Sequence, residues 1–131
     1  FFRKNWFMVN TKGFTIWLTG LSGSGKTTIS LMLEKHLKNS GFSNVEILDG
    51  DTIRENLSSG LGFSKKDRLI NIKRVGYVCK LLTRNNLPVI AALISPYHNA
   101  RDEIRSQIDN FVEVYVKCSL AECERRDVKG L

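Results

Sequence analysis

The sequence predicts an α/β fold of three layers, in which a central parallel sheet lies between helices. Strand-like apolar runs alternate with segments of helical periodicity, an order typical of β-α-β units with right-handed crossovers. Residues 87–94 are nearly all apolar, as expected of a central strand that is covered on both faces. A glycine-rich loop follows the first strand and opens the first helix, an arrangement that favours anions. We count four strands and expect one domain, residues 13–131, behind an N-terminal arm of residues 1–12.

The composition limits the classes of partner. With 20 basic and 13 acidic residues, the net charge of +7 suits an anionic ligand, but the scattered basic residues disfavour nucleic acid. No apolar run reaches transmembrane length and no signal-peptide pattern is present, so we expect a cytoplasmic protein without a membrane partner. Cys79, Cys118 and Cys123 lack metal or redox spacing and are interpreted as reduced thiols.

The first strand, residues 14–19, leads into the pattern G-x-x-x-x-G-K-T at residues 20–27. Its glycines let backbone N–H groups turn inward, Lys26 adds a positive charge, and the Thr27 hydroxyl can bind Mg²⁺. An ordinary Gly/Ser turn is the alternative, which the rarity of the full pattern disfavours. The helix that follows is expected to end at Gly41 and to carry a face formed by Ile29, Met32, Leu33, His36 and Leu37.

The second predicted strand, residues 45–48, ends in Asp49-Gly50-Asp51. Ligands of parallel sheets gather at the carboxyl ends of the strands, where the glycine-rich loop also lies. One carboxylate could therefore orient Mg²⁺ and water, while the other accepts a proton from an attacking hydroxyl. A turn in which Asp51 caps a helix from Thr52 onward is the alternative, and both can hold.

A glycine-rich stretch at residues 58–64 precedes a long helix from Asp67-Arg68 to about Arg84. Arg68 and Asn71 lie three residues apart and share a face of this helix. With Arg54 they are candidates to clamp a second anion, and ordinary surface charge is the alternative. The predicted buried face of the helix comprises Ile72, Val75, Cys79 and Leu82.

The remaining sequence continues the alternation of strands and helices. The strand at residues 87–94 ends in Ser95-Pro96-Tyr97, and a helix with Ala100, Ile104 and Ile108 on one face follows. A fourth strand at residues 111–116 and a last helix at residues 119–127 complete the prediction. His36 is interpreted as a core-face histidine and His98 as a surface histidine, since neither has metal-ligand spacing.

Five separated motifs carry a resemblance to a known family. They are residues 13–20, 49–54, 61–72, 94–97 and 123–131, the third with Leu-Gly-Phe-Ser, Asp-Arg and Asn-Ile. In this order they resemble the adenylylsulfate kinases, which use ATP to phosphorylate the 3′-hydroxyl of adenosine 5′-phosphosulfate in sulfate assimilation. The resemblance covers the chain from Gly13 onward and implies a phosphotransferase with the phosphate-loop (P-loop) kinase fold.

The resemblance implies which residues serve ATP. Lys26 would stabilise the charge on the transferred phosphoryl group, and Thr27 and Asp49 are our candidate Mg²⁺ ligands. The residues implied to hold ATP are Gly20, Leu21, Ser22, Gly23, Ser24, Gly25, Lys26, Thr27 and Thr28.

The resemblance also implies an acceptor site. Asp51 matches an acid near the substrate 3′-hydroxyl, as base or Mg²⁺ organiser, and Phe63 matches the aromatic that stacks on adenine, on a loop that we expect to act as a lid. Ser95 matches a serine that is phosphorylated in some members, although we expect direct in-line transfer from ATP. The implied substrate contacts are Asp51, Arg54, Phe63, Arg68, Asn71, Ile94, Ser95 and Lys129.

The chain departs from the family in length. Members continue past the Lys-Gly-Leu that matches residues 129–131, through a basic segment, a strand with an adenine-contacting loop and a last helix, so we expect a fragment or a longer native chain. The resemblance further implies a homodimer and a fusion to, or association with, ATP sulfurylase. Two alternatives stay open: another P-loop kinase of small molecules, and a nucleotide-binding module without turnover in a larger sulfate-activating protein.

Overall fold

The computed structural model describes residues 12–119, 121, 122 and 125. Four strands alternate with helices in this part of the chain. In chain order the elements are β1 (Phe14–Thr19), α1 (Lys26–Asn39), β2 (Glu46–Asp49), α2 (Gly50–Asn56), α3 (Lys65–Arg84), β3 (Pro88–Ala92), α4 (His98–Gln107) and β4 (Phe111–Tyr115).

The four strands form one parallel sheet in the order β2-β3-β1-β4. Strand β1 is central, since Thr15 is in register with Val89 of β3 and with Phe111 of β4. Strand β2 pairs with the other edge of β3, where Asp49 is opposite Ala92. Because all pairs are parallel, the loops after β1, β2 and β3 emerge at the same edge of the sheet.

Alternate residues of β3 supply two hydrophobic clusters, one on each face of the sheet. Val89 and Ala91 pack with Trp17 and with helices α3 and α4, while Ile90 and Ala92 pack on the face covered by α1. Because both faces of β3 are buried, its sequence is a continuous run of apolar residues. The prediction of a three-layer fold with a central parallel sheet is confirmed.

The prediction for the buried face of α1 is partly wrong. Ile29, Leu33 and Leu37 pack against the sheet as expected, but Met32 is 67% exposed and His36 is also exposed. A stripe repeated every four residues is enough to cover this part of the sheet, so residues one position before it lie at its flank. His36 is therefore a surface histidine, as is His98.

Several predicted boundaries shift by a few residues. Helix α3 begins at Lys65, because Ser64 is its N-cap and accepts a hydrogen bond from the backbone N–H of Asp67 at 3.1 Å. Its buried face includes Ile72, Val75 and Cys79 as predicted, whereas Leu82 is half-buried. In the C-terminal segment predicted as a helix, Ala121, Glu122 and Arg125 are helical.

The predicted arm lies outside the described residues apart from Lys12, as do Cys123 and Lys129. Among the described helices, none is both long and apolar enough to cross a membrane.

Candidate active site

The loop between β1 and α1 begins at Gly20 and reaches the helix at Gly25. Gly25 is the N-cap of α1 and has a φ of 105°, a left-handed conformation that favours glycine. At Gly20 a side chain would meet the backbone, since a Cβ atom there would lie 2.8 Å from the carbonyl oxygen of Val116. Small residues therefore allow the loop to fold closely over the end of the sheet, with the amino terminus of α1 at its base.

The Lys26 side chain folds back over this loop. Its Nζ donates to the carbonyl oxygens of Gly20 at 2.9 Å and Leu21 at 2.7 Å. These carbonyls are acceptors that phosphate oxygens can replace, since an ammonium group has three rotatable donors. Lys26 is thus held beside the loop in a position from which it can turn to a bound phosphate.

Thr27 and Asp49 connect the glycine-rich loop with the end of β2. Thr27 Oγ1 donates to Asp49 Oδ2 at 2.8 Å. Both are oxygen donors of the kind that Mg²⁺ prefers, and Mg²⁺ usually takes only one or two protein ligands beside phosphates and water. The donor set therefore fits Mg²⁺.

The expected cap of the next helix is wrong in detail. Asp49, and not Asp51, is the N-cap residue of α2, and its carboxylate bonds to Thr27 instead of capping the helix. Asp51 lies within the first turn of α2, where its negative charge is favoured by the helix dipole, and its side chain is exposed.

A pocket of about 240 Å³ lies beside α2 and the amino-terminal part of α3. Its walls combine charged and apolar groups from the elements on this side of the sheet. They are Arg54, Ser58, Leu61, Gly62, Phe63, Arg68, Asn71 and Ile94.

Phe63 lies close to two arginines of the pocket. The guanidinium carbon of Arg54 lies 4.2 Å from the ring centroid, and that of Arg68 lies 5.9 Å from it. Arg68 Nε also donates to the Phe63 carbonyl oxygen at 2.9 Å. The ring is nevertheless 57% exposed, so it offers apolar and π surface for a planar ligand beside positive charges.

Asn71 is oriented by a buried neighbour. Ser58, which is 2% exposed, donates from Oγ to Asn71 Oδ1 at 2.5 Å. This contact sets the orientation of the amide group, whose Nδ2 is a donor for a ligand. Five of the residues that the resemblance implies as substrate contacts thus line one pocket: Arg54, Phe63, Arg68, Asn71 and Ile94.

Ser95 differs from the other described residues of the implied acceptor site because it is buried. It is 1% exposed, and its Oγ accepts from Trp17 Nε1 at 3.0 Å and donates to Thr19 Oγ1 at 2.8 Å. The Arg101 guanidinium donates to its carbonyl oxygen, and Arg101 is itself paired with Glu113 at 3.4 Å. A phosphoryl group could reach Ser95 only if these contacts opened.

The sequence analysis did not predict three of the pocket residues, which are Ser58, Leu61 and Gly62. It also did not predict the hydrogen-bond partners of Ser95. Leu61 and Gly62 lie within the motif that carries Phe63, and this proximity is a signal that could have included them. No sequence signal links Trp17 to Ser95, which are 78 positions apart.

A family model described as "Adenylylsulphate kinase" matches residues 12–131. The adenylyl-sulfate kinase of Rippkaea orientalis is 58% identical over 120 residues, which are 92% of this chain and 66% of the relative. A probable adenylyl-sulfate kinase of Pseudomonas aeruginosa is 52% identical over 124 residues, covering 95% of this chain and 58% of that protein. The chain thus spans about two thirds of the length of the curated relatives it matches.

Solved structures agree with these relatives. The Mycobacterium tuberculosis APS kinase, in complex with AMPPNP and APS, has a TM-score of 0.83 and 40% identity and covers 91% of this chain and 70% of its own. A gluconokinase from Sinorhizobium meliloti, with a TM-score of 0.65 and 18% identity over 86% of this chain and 62% of its own, shares the fold.

Proposed function

This chain belongs to the adenylylsulfate kinase family, and from that premise we propose that it transfers the γ-phosphoryl group of ATP to the 3′-hydroxyl of adenosine 5′-phosphosulfate. A new O3′–P bond forms, the bond between the γ-phosphorus and the bridging oxygen breaks, and the products are ADP, 3′-phosphoadenosine 5′-phosphosulfate and a proton. The 2.8 Å hydrogen bond between Thr27 and Asp49 carries this proposal. It joins the loop of residues 20–28, which would bind ATP, to the strand β2, which leads directly into α2. Arg54 of α2 lines the pocket around Phe63.

The donor half of the proposed site is the loop of residues 20–28. Its backbone N–H groups and the amino terminus of α1 would hold the phosphates of ATP. Lys26 would exchange the carbonyl oxygens of Gly20 and Leu21 for phosphate oxygens, and its charge would stabilise the equatorial oxygens in the transition state. Mg²⁺, held by Thr27 and Asp49 together with the phosphates, would neutralise phosphate charge.

The acceptor half is the pocket around Phe63. The adenine of adenosine 5′-phosphosulfate would stack on the exposed ring of Phe63, while Arg54, Arg68 and Asn71 would bind its anionic and polar groups. Arg54 covers the ring at 4.2 Å, so we expect its guanidinium to move when adenine enters.

Asp51 stands between the two halves along α2. It follows Asp49 by two residues and precedes Arg54 by three, which places it one helical turn from a pocket residue. From there its carboxylate would accept the proton of the 3′-hydroxyl or organise the Mg²⁺ shell. Lys129, the last implied substrate contact, lies outside the described residues.

The burial of Ser95 supports direct transfer. Its hydroxyl proton is directed to Thr19 Oγ1, and no carboxylate or histidine among the described residues is a hydrogen-bond partner of this hydroxyl. The phosphorylation of Ser95 that the resemblance implies stays a prediction, and it would require the loop after β3 to open.

The proposal is tested with the chain, Mg²⁺, ATP and adenosine 5′-phosphosulfate, with nucleotides separated by anion-exchange chromatography. We expect ADP and the 3′-phosphorylated product in equal amounts, both lost in Lys26→Ala. Because the chain is shorter than its relatives, calorimetric binding of each substrate is measured beside turnover. Failure to bind adenosine 5′-phosphosulfate, or ADP formation without the second product, would contradict the proposal.

The second candidate is a nucleotide-binding module without turnover. Binding of both nucleotides without ADP release under saturating ATP would identify it. A kinase for another small molecule would instead be revealed by thermal stabilisation with that acceptor and not with adenosine 5′-phosphosulfate.

We further propose a homodimer that is associated with ATP sulfurylase, which the resemblance implies, and a cytoplasmic location, which is the expectation from the sequence. A solved relative, described as a hexameric APS kinase from Thiobacillus denitrificans, supports oligomerisation in the family. Light scattering coupled to size-exclusion chromatography would give the mass of the particle, and a monomeric mass would contradict the dimer.

A further inference from the structure

We infer that Trp17 is a positioning residue, whose indole N–H sets the backbone of Ile94 and Ser95 at the acceptor pocket. The inference rests on the proposed function only in the identity of the acceptor, adenosine 5′-phosphosulfate. Trp17 lies in the middle of β1 with 0% exposure, outside the pocket itself, and so cannot touch the substrate.

The hydrogen bond between the Trp17 indole and Ser95 has one possible direction. An indole nitrogen can only donate, so the Ser95 hydroxyl that accepts from it at 3.0 Å directs its proton to Thr19 Oγ1 at 2.8 Å. Thr19 Oγ1 then donates to the carbonyl oxygen of Ser95 at 3.3 Å. The series of hydrogen bonds thus forms a closed ring between Ser95 and Thr19, into which the Trp17 indole donates.

This closed chain joins the two halves of the proposed site. Thr19 immediately precedes Gly20 of the ATP loop, and Ser95 immediately follows Ile94 of the acceptor pocket. A second anchor comes from α4, where the guanidinium of Arg101 donates to the same Ser95 carbonyl oxygen and pairs with Glu113 of β4. The Ile94–Ser95 backbone is therefore held from the sheet and from α4 at once.

Loss of the indole N–H would release this arrangement without emptying the core. Trp17→Phe keeps an aromatic ring beside Phe111, whose centroid lies 6.1 Å from that of Trp17, but removes one of the two side-chain hydrogen bonds that orient the Ser95 hydroxyl. Ile94 would then sample positions that narrow or open the pocket, while the ATP loop keeps its own contacts at Lys26 and Thr27.

Thr15→Val is a matched control. Thr15 lies on the same face of β1, is 0% exposed, and shares a buried hydroxyl contact of 2.6 Å with Thr83, far from Ser95 in the sheet. Both substitutions remove one buried hydrogen bond from β1 and should lower the melting temperature, Trp17→Phe by more because its smaller ring also leaves a cavity. Only Trp17→Phe should affect the acceptor pocket.

The experiment measures dissociation constants by calorimetry for adenosine 5′-phosphosulfate and for AMPPNP, so that it does not depend on turnover. We expect Trp17→Phe to raise the constant for adenosine 5′-phosphosulfate about tenfold and to leave that for AMPPNP within about twofold. In Thr15→Val both constants should stay within about twofold of the unmodified chain. Equal effects of the two substitutions, or no effect of Trp17→Phe, would overturn the inference.

A second measurement observes the indole N–H of Trp17 directly and keeps the Trp17 side chain. In a Trp6→Phe background the remaining indole N–H resonance belongs to Trp17, and ¹H–¹⁵N spectra should show it shift in Ser95→Ala and on addition of adenosine 5′-phosphosulfate. If the Trp17 indole resonance shifts neither in Ser95→Ala nor on addition of adenosine 5′-phosphosulfate, the inference is overturned. If the unmodified chain binds this nucleotide but does not turn it over, only the proposed function fails.

Discussion

Lys26 is the residue on which phosphoryl transfer should depend most. Its Nζ is already held at 2.7–2.9 Å by two carbonyl oxygens of the loop, so phosphate binding needs only an exchange of acceptors. We expect Lys26→Ala to lower kcat/KM by about 10²- to 10³-fold, because a positioned charge that stabilises the transition state is lost. Steady-state kinetics test this, with Lys35→Ala, an exposed lysine of the same helix, as the control. An equal loss in both variants would contradict a specific role.

Phe63 should contribute to acceptor binding through its exposed ring. Removal of the ring in Phe63→Ala takes away a stacking surface worth about 1–3 kcal/mol per base, so KM for adenosine 5′-phosphosulfate should rise about tenfold or more. Tyr77→Ala removes an aromatic of similar exposure, 58%, from α3 and is the control. A rise in KM for ATP, with KM for adenosine 5′-phosphosulfate unchanged, would contradict the proposal that the Phe63 ring belongs to the acceptor half of the site.

For single residues, the sequence predicted which side chains line the pocket better than it predicted which side chains contact each other. The motifs named the pocket residues Arg54, Phe63, Arg68 and Asn71 because each is a short pattern of side-chain types. The bond from Trp17 to Ser95 was beyond prediction, since a buried hydrogen bond depends on side-chain orientations in two segments that meet only in the folded sheet.

At the scale of elements, helices α3 and α4 meet at Gly76. A Cβ atom at Gly76 would lie 2.2 Å from Ile104 Cδ1, which is too close for two carbon atoms that are not bonded to each other. Gly76→Ala gains up to about 1 kcal/mol of helix propensity, but overpacking costs about 1–3 kcal/mol, so we expect a lower melting temperature. Calorimetry of Gly76→Ala and of the double variant with Ile104→Val tests this, because the shorter side chain removes Cδ1 and should restore part of the loss. An additive further loss in the double variant would contradict the steric account.

The elements themselves were predictable to within a few residues, and the errors have physical causes. The periodicity of α1 indicated a helix, but it could not show that Ile29, Leu33 and Leu37 suffice to cover the sheet and leave Met32 exposed. Likewise the pair Asp49 and Asp51 indicated a polar strand end, while the choice of cap depended on Thr27, which is distant in the chain.

For the whole molecule, the buried thiol of Cys79 makes stability depend on pH. Burial raises its pKa from the ordinary value of 9.0 to about 12. The unfolded chain therefore releases this proton above pH 9 while the folded chain keeps it, so the contribution is complete below pH 9 and is lost as the pH rises toward 12.

Above pH 9 we expect the free energy of unfolding of the unmodified chain to fall more steeply with pH than that of Cys79→Ala. The difference between the two slopes should approach about 1.4 kcal/mol per pH unit. Urea denaturation at pH 8, 9 and 10 measures this slope for both proteins. Equal slopes would contradict the buried, protonated thiol. Thiol labelling of a chain with Cys118→Ser and Cys123→Ser gives a second readout, since Cys79 should react only on unfolding.

The order of the strands has a consequence for synthesis. Strand β1, which leads into the ATP loop, pairs on one side with β3 and on the other with β4, whose Phe111 lies opposite Thr15. While the ribosome makes the chain from the amino terminus, β1, which emerges before the other three described strands, must wait for β4 before both of its edges are covered. The nucleotide site is therefore encoded early and completed late, and a nascent chain that ends before Tyr115 should not be able to hold ATP.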